Sequence, residues 1–174
     1  MAIAYLSLGS NLGDRVGYIQ QATSLLKSYP EINIVATSSL YETEPWQMDS
    51  EKWFVNAVVQ ISTTFTPEEL LRECQKIESV LGRKRIEGEK SYTDRTIDID
   101  IIFYDKLILN TPELTIPHKH FHKRVFMIIP MLEIADDFVH PILNKTVEEL
   151  YEAIENPEIV YLYGTRREDD DWEK

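Results

Sequence analysis

Hydrophobic residues recur with a period of two along some stretches of the chain and with a helical period along others. The predicted strands cover residues 2–8, 31–44, 53–63 and 97–103, and the predicted helices cover about 14–28 and 66–81. The resulting order, β-α-β-β-α-β, is typical of the ferredoxin-like arrangement. We therefore predict an α+β protein with an antiparallel sheet, helices on one face of the sheet and an open face for a ligand.

Further helices are expected nearer the C-terminal end of the chain. One is predicted from about His120, and Pro130 should kink or split it. Another should follow the capping box at residues 146–149. Residues 159–163 are predicted to add an edge strand to the sheet.

The predicted strand at residues 97–103 begins with alternating Ile and Asp. On a strand, Asp98 and Asp100 would share one face about 7 Å apart, while Ile97 and Ile99 face the core. Two such carboxylates repel by about 2 kcal/mol at an intermediate dielectric. Mg²⁺ would turn the repulsion into attraction, because it binds one or two carboxylates together with phosphate oxygens. The alternative is a solvated strand face on which Arg95 pairs with one acid, and the motif alone leaves both interpretations open.

The strand predicted at residues 53–63 carries Phe54 and Asn56 on the face opposite its apolar stripe. In a ferredoxin-like sheet this face coincides with the face of Asp98 and Asp100. An aromatic ring and an amide can form the floor of a site for a flat heterocycle. Alternatively, Phe54 packs in a minor core and Asn56 is solvated.

Length and composition favour a single globular domain. The chain has 174 residues, 43% of them hydrophobic and 28% charged. We expect residues 1–163 to form a single domain and the charged residues 164–174 to be a disordered tail. The single cysteine, Cys74, lies on an apolar helical stripe, so a core thiol is expected and a disulfide framework is excluded. No secretion signal or membrane-spanning run is visible, so we expect a cytoplasmic protein without membrane contact.

The net charge of −12 argues against a nucleic-acid-binding protein, which would present a basic face. Two cationic segments nevertheless flank the paired aspartates, at residues 83–95 and 118–124. We interpret them as an anion site, because a polyphosphate with Mg²⁺ requires cationic and anionic groups together. The alternative is solvated loop charge.

Eight motifs follow one another along residues 3–142. They are Leu8-Gly9-Ser10-Asn11-Leu12-Gly13-Asp14, Tyr41-Glu42-Thr43-Glu44-Pro45-Trp46, Phe54-Val55-Asn56-Ala57, Glu78-Ser79-Val80-Leu81-Gly82-Arg83-Lys84-Arg85, Asp94-Arg95-Thr96-Ile97-Asp98-Ile99-Asp100-Ile101, Ile116-Pro117-His118, Arg124-Val125-Phe126-Met127 and Pro130-Met131-Leu132-Glu133-Ile134-Ala135. Together they resemble the 6-hydroxymethyl-7,8-dihydropterin pyrophosphokinases of folate biosynthesis. The run at residues 95–101 with its downstream Pro-His is the most specific of these motifs.

The resemblance implies transfer of the pyrophosphoryl group of ATP to the hydroxymethyl group of the pterin, with release of AMP. It assigns Asp98 and Asp100 to two Mg²⁺ ions. We expect a monomer that acts on small molecules. The catalytic residues would be those two aspartates with Arg83, Arg85 and Arg95. The pterin would contact Thr43, Pro45, Phe54, Asn56 and Phe126. The nucleotide would contact Glu78, Arg85, Arg95, Ile101, Thr115, His118 and Arg124.

The sequence departs from the family at a few positions. Tyr92 stands where several members have Trp, Asp94 stands where they have Pro, and Phe54 replaces a Tyr found in some. Three other functions stay open. They are a different Mg-dependent ATP phosphotransferase or nucleotidyltransferase, an RNA-binding module on the same sheet, and a metal site built from His118, His120 and His122.

Overall fold

The computed structural model describes residues 1–45, 51–83 and 94–166. Its strands are β1 (Ala2–Ser10), β2 (Ile32–Thr37), β3 (Tyr41–Thr43), β4 (Phe54–Thr63), β5 (Asp98–Tyr104), β6 (Leu109–Asn110), β7 (Thr115–Ile116) and β8 (Val160–Leu162). Its α-helices are α1 (Arg15–Ser28), α2 (Pro67–Val80), α3 (Val125–Ala135) and α4 (Val147–Glu152), and a 3₁₀ turn covers Phe121–Lys123.

The main sheet has the strand order β5-β1-β4-β3-β8, and β2 also pairs with β4. All of these pairs are antiparallel. Taken in chain order, β1, α1, β2, β4, α2 and β5 form the predicted ferredoxin-like core, which is therefore confirmed. The short strands β6 and β7 form a separate hairpin beside β5.

Two apolar cores lie on opposite faces of the sheet. The larger core packs the β1 side chains Leu6 and Leu8 against α1 and α2, whose buried residues include Leu26 and Leu70. The second core uses alternate positions of the same strands, with Tyr5 and Phe103 among its members, and packs them against α3 and α4. The C-terminal helices therefore cover part of the face that was expected to be open, and the uncovered part of that face lies at one end of the sheet.

The capping boxes predicted at the starts of α2 and α4 are both formed, by Thr66 with Glu69 and by Thr146 with Glu149. The predicted strand at residues 31–44 is divided into β2 and β3, each of which pairs with a different part of β4. Among the described residues, no helix is both long enough and apolar enough to cross a membrane.

The helix predicted from His120 begins only at Val125. A 3₁₀ turn precedes it, and Arg124 adopts an extended backbone with φ −116° and ψ 101°. Pro130 lies inside α3, which continues through it to Ala135. Residues 164–166 of the predicted tail are described and follow β8, and the rest of that tail, 167–174, lies outside the described residues.

Candidate active site

One row of residues runs across the sheet at the uncovered end. Gly9 of β1 is the register partner of both Asp98 of β5 and Asn56 of β4, and Asn56 is in turn the partner of Tyr41 of β3. Partners directly opposite one another in antiparallel strands project from the same face. The side chains of Asp98 and Asn56 therefore project from the same face of the sheet, as predicted.

Asp98 is held by two arginines. Its Oδ1 accepts a 2.7 Å hydrogen bond from Arg83, and its Oδ2 accepts a 3.1 Å hydrogen bond from Arg95. The same nitrogen of Arg83 also contacts the carboxylate of Glu78, which is buried near the end of α2. Burial alone would lower the pKa of Arg83, but Asp98 and Glu78 together raise it above its ordinary value. The cluster is a charge network of alternating sign.

Asp100 lies two residues further along β5 and is half-buried. Its pKa is raised well above the ordinary value of 3.8, first by burial and then by the carboxylates of Asp98 and Glu78. Arg83 and Arg95 act in the opposite direction and offset this only in part. Three carboxylates thus share a small region, and a bound cation would stabilise all of them in the charged form.

The pterin-site residues expected from β3 and β4 lie beside this network. The side-chain amide of Asn56 donates a 2.5 Å hydrogen bond to the hydroxyl of Thr43, and both residues are buried. Phe54 is the register partner of Thr43, and its ring lies 5.8 Å from the guanidinium carbon of Arg95. Pro45 follows β3 and is half-buried.

The expected nucleotide residue His118 lies near β5 and interacts electrostatically with Asp98. The backbone N–H of His118 donates to Ile102 of β5 at 2.9 Å. The Nδ1 atom of His118 accepts a 3.2 Å hydrogen bond from the backbone of His120, so the proton of the neutral ring is on Nε2. Burial, followed by His120, lowers its pKa to about 4, and Asp98 partly offsets this.

Arg124 is buried just before α3, and its guanidinium carbon lies 5.4 Å from the ring centre of Phe126. The same guanidinium donates to Glu158 at 2.7 Å. The predicted phosphate ligand and the predicted pterin-stacking residue are therefore neighbours on one helix start.

Ile101 and Thr115 are among the described site residues that no described contact joins to the charge network around Asp98. The side chain of Ile101 is buried in the core against α1 and α2, so a nucleotide could reach only its backbone on the edge strand β5. Thr115 lies on β7, where its hydroxyl contacts Asn110 at 3.4 Å. Arg85 lies outside the described residues, as does Tyr92, which stands where several family members have Trp.

Asn11 is a site residue to which sequence reasoning assigned no role. Its amide donates to the carbonyl of Lys52 at 3.2 Å and to Asp94 at 2.8 Å. Its Oδ1 accepts from the backbone N–H of Arg95 at 2.8 Å, and its own N–H donates to the Arg95 carbonyl. This buried side chain therefore fixes the segments that lead into Phe54 and Arg95. The only sequence indication was its position in the Gly-Ser-Asn motif.

A second contact that sequence reasoning missed joins β3 to α3. Glu133 accepts a 2.7 Å hydrogen bond from the hydroxyl of Tyr41 and also contacts the backbone N–H of Ser39. Burial and this hydrogen bond raise the pKa of Tyr41 to about 12. Because Glu133 is on the helix that begins beside Phe126, this contact fixes α3 relative to the strand that carries Thr43.

A metal site on three histidines is not supported. In the part of the chain that the structure describes, no group of three His, Cys, Asp or Glu side chains is arranged to hold a metal ion. The rings of His118 and His120 are 6.0 Å apart, centre to centre. Burial raises the pKa of the Cys74 thiol, as expected for a core residue.

A ferredoxin-like sheet with paired aspartates and buried arginines at one end is suited to an enzyme that transfers phosphoryl or pyrophosphoryl groups. The family model for 7,8-dihydro-6-hydroxymethylpterin-pyrophosphokinase (HPPK) matches residues 5–136. The chain is 41% identical to 2-amino-4-hydroxy-6-hydroxymethyldihydropteridine pyrophosphokinase from Methylorubrum extorquens, over 86% of this chain and 91% of that protein. It is 38% identical to the protein of the same name from Aquifex aeolicus, over 86% and 90%.

Among solved structures, the chain is similar to Plasmodium falciparum HPPK-DHPS, wild type, with pteroate. The TM-score is 0.68 at 18% identity, over 87% of this chain and 42% of that one, which supports the fold. The chain belongs to the HPPK family. It is a diphosphotransferase of folate biosynthesis.

Proposed function

We propose that this site binds MgATP and 6-hydroxymethyl-7,8-dihydropterin and transfers the pyrophosphoryl group to the pterin hydroxymethyl oxygen, with release of AMP. One observation carries the proposal. Asp98 is paired with Arg83 and Arg95 and lies in the same row across the sheet as Asn56. Cationic groups for a triphosphate, carboxylates for its cation and an amide for a heterocycle are thus adjacent.

The donor set suits Mg²⁺. Asp98 and Asp100 offer hard carboxylate oxygens. Burial and then the nearby carboxylates of Asp98 and Glu78 raise the pKa of Asp100, and a bound cation would offset both effects. In the described part of the chain, no group of three His, Cys, Asp or Glu side chains is arranged to hold a metal ion. Phosphate oxygens and water would therefore complete the coordination shell of Mg²⁺. Bound Mg²⁺ would supply charge neutralisation between the attacked and leaving phosphates.

Arg83 and Arg95 would exchange partners when the nucleotide binds. Both donate to Asp98 in this structure, and both carry planar guanidinium groups that match phosphate oxygens. Asp98 would hold the cation, and Arg83 and Arg95 would instead donate to phosphate oxygens of the triphosphate. Glu78, buried beside Arg83, would keep that side chain near the reacting groups.

On the other side of the row, Asn56 and Thr43 would contact the edge of the pterin, and Phe54 and Phe126 would stack on its faces. Stacked rings hold a flat heterocycle at a low entropic cost. His118 would donate through Nε2 to a phosphate oxygen, because its Nδ1 is already engaged. These contacts would align the hydroxymethyl oxygen with the β-phosphate, and alignment is the main contribution of protein groups in such transfers.

We further propose that the chain works in the cytoplasm as a monomer. Its one cysteine, Cys74, is buried and free, which suits a reducing compartment. The net charge of −12 is unfavourable for binding nucleic acid. Analytical ultracentrifugation should give the mass of one chain, and a stable dimer would contradict this part of the proposal.

The proposed reaction is tested by its products. The protein would be incubated with ATP, Mg²⁺ and 6-hydroxymethyl-7,8-dihydropterin, and the nucleotides and pterins would be quantified by chromatography. AMP and pterin diphosphate in equal amounts, dependent on both substrates, are the expected result. ADP with a pterin monophosphate would contradict pyrophosphoryl transfer and indicate a simple kinase on the same fold.

A further inference from the structure

The segment after α4 crosses the edge of the candidate site. Strand β8 pairs with β3 through three register partners, among them Val160 with Thr43. Beyond β8, the guanidinium of Arg166 lies 3.9 Å from the ring centre of Trp53. This segment lies past residue 136, where the match to the family model ends. It therefore adds contacts to the site that the family motifs do not include.

Glu158, two residues before β8, reaches Arg124. The distance from Oε1 of Glu158 to the guanidinium of Arg124 is 2.7 Å, a charge-assisted hydrogen bond. The Arg124 side chain is only 5% exposed, whereas the Glu158 side chain is 36% exposed. The carboxylate thus covers a buried cation from the solvent side.

A carboxylate and a phosphate bind an arginine side chain in similar ways. Both bind guanidinium N–H groups in the same planar geometry, so two anions in contact with one side of Arg124 would repel each other. Because the Glu158 carboxylate is already partly solvated, replacing its contact with Arg124 by contacts with water costs little free energy. The pairing of β8 with β3 keeps it nearby at a high effective concentration.

We propose that Glu158 competes with the ATP triphosphate for Arg124 and thereby sets the affinity of the site for the nucleotide. Glu158 is a positioning residue, since it acts through Arg124. The inference rests on the proposed function, because it takes Arg124 as a triphosphate ligand.

The test is the dissociation constant of MgATP, measured by titration calorimetry without the pterin. Glu158→Gln keeps the shape of the side chain and removes its charge, so it should tighten MgATP binding about two- to fivefold, the range for a partly exposed ion pair. Glu158→Ala should give a similar gain. In turnover, the KM for ATP should fall while kcat at saturating ATP stays the same, a split that a general change in stability would not produce.

Glu155→Gln is the matched control. Glu155 lies in the same connection, is exposed, and would lose the same charge. Its variant should leave the MgATP dissociation constant near the wild-type value. In an Arg124→Gln background, Glu158→Gln should have no effect, because the shared guanidinium is gone.

Unchanged or weaker MgATP binding by Glu158→Gln would overturn the inference, as would an equal gain in Glu155→Gln or a gain that persists without Arg124. Failure of the wild-type protein to bind MgATP would instead overturn the proposed function, and the inference with it.

Discussion

The backbone of Gly9 lies against the side-chain amide of Asn56. A Cβ atom at position 9 would fall 2.7 Å from Oδ1 of Asn56, closer than real Cβ contacts allow. The two residues are register partners on β1 and β4, so neither backbone can move away without disturbing the centre of the sheet. The orientation of Asn56, and its hydrogen bond to Thr43, therefore depend on the missing side chain at Gly9.

Gly9→Ala should weaken pterin binding while leaving ATP binding nearly unchanged. The new methyl group displaces the amide, and the loss of one neutral hydrogen bond corresponds to about a two- to tenfold effect on affinity. The KM values for the two substrates measure this directly. In an Asn56→Ala background, Gly9→Ala should not raise the KM for the pterin any further, because the clashing atom is absent. Equal losses for ATP and pterin would contradict the explanation.

Asp100→Asn should stabilise the fold in the absence of divalent cations. The pKa of Asp100 is raised in the folded state, so the folded protein binds more protons than the unfolded one as the pH rises above 3.8, and ionisation of Asp100 lowers stability at neutral pH. Replacing the carboxylate by an amide removes first the cost of burying its charge and then its repulsion with Asp98 and Glu78. Thermal unfolding at pH 7 with a chelator should show a higher Tm for the variant.

A matched control for that experiment is Glu113→Gln, which removes one charge from an exposed residue. It should leave the Tm almost unchanged. Mg²⁺ with a non-hydrolysable ATP analogue should raise the Tm of the wild type more than that of Asp100→Asn. A lower Tm for Asp100→Asn under chelation would show that the carboxylate is not in net repulsion.

Phe126→Ala should weaken pterin binding far more than ATP binding. The ring lies at the start of α3 next to Arg124, and stacking of an aromatic ring on a base contributes roughly 1–3 kcal/mol. Phe126→Leu preserves most of the buried apolar surface without a ring, so it separates stacking from stability. Both variants should raise the KM for the pterin. Losses that follow the Tm and affect both substrates equally would indicate a folding defect.

His118 should be neutral at pH 7 in the free protein. Its pKa is lowered from 6.5 to about 4, so the unfolded state binds more protons between these values and stability falls as the pH drops from 6.5 toward 4. MgATP should raise this pKa, since phosphate oxygens near Nε2 favour the imidazolium form. NMR titration of the His118 ring, assigned with a His118→Gln variant, measures both values. A pKa near 6.5 without ligand, or no increase with MgATP, would be contrary to this account.

Much of the fold was predictable because its elements are locally encoded. The period of two placed β4 and β5, and the capping boxes at Thr66 and Thr146 marked the starts of α2 and α4. Alternation along β5 also predicted that Asp98 and Asp100 lie on the face of the sheet opposite α1 and α2. These features depend on residues that are close together in the sequence, so they can be predicted from one sequence alone.

Other features depend on contacts between distant segments. The side chain of Asn11 donates hydrogen bonds to Lys52 and Asp94, which are 41 and 83 residues away in the sequence. No local sequence pattern predicts hydrogen bonds of this kind. Likewise, α3 begins later than predicted because Arg124 takes an extended backbone at a position where its side chain is buried. Tertiary contacts of this kind override helical periodicity.

The proposed Mg²⁺-dependent pyrophosphoryl transfer depends above all on Asp98 and Asp100. The most direct test is AMP formation from ATP and the pterin at increasing Mg²⁺, for the wild type, Asp98→Asn, Asp100→Asn and the control Glu113→Gln. The wild type and the control should form AMP at rates that rise with Mg²⁺ and saturate. Both aspartate variants should stay folded and lose turnover. Wild-type turnover in either aspartate variant would contradict the proposed role of Asp98 and Asp100.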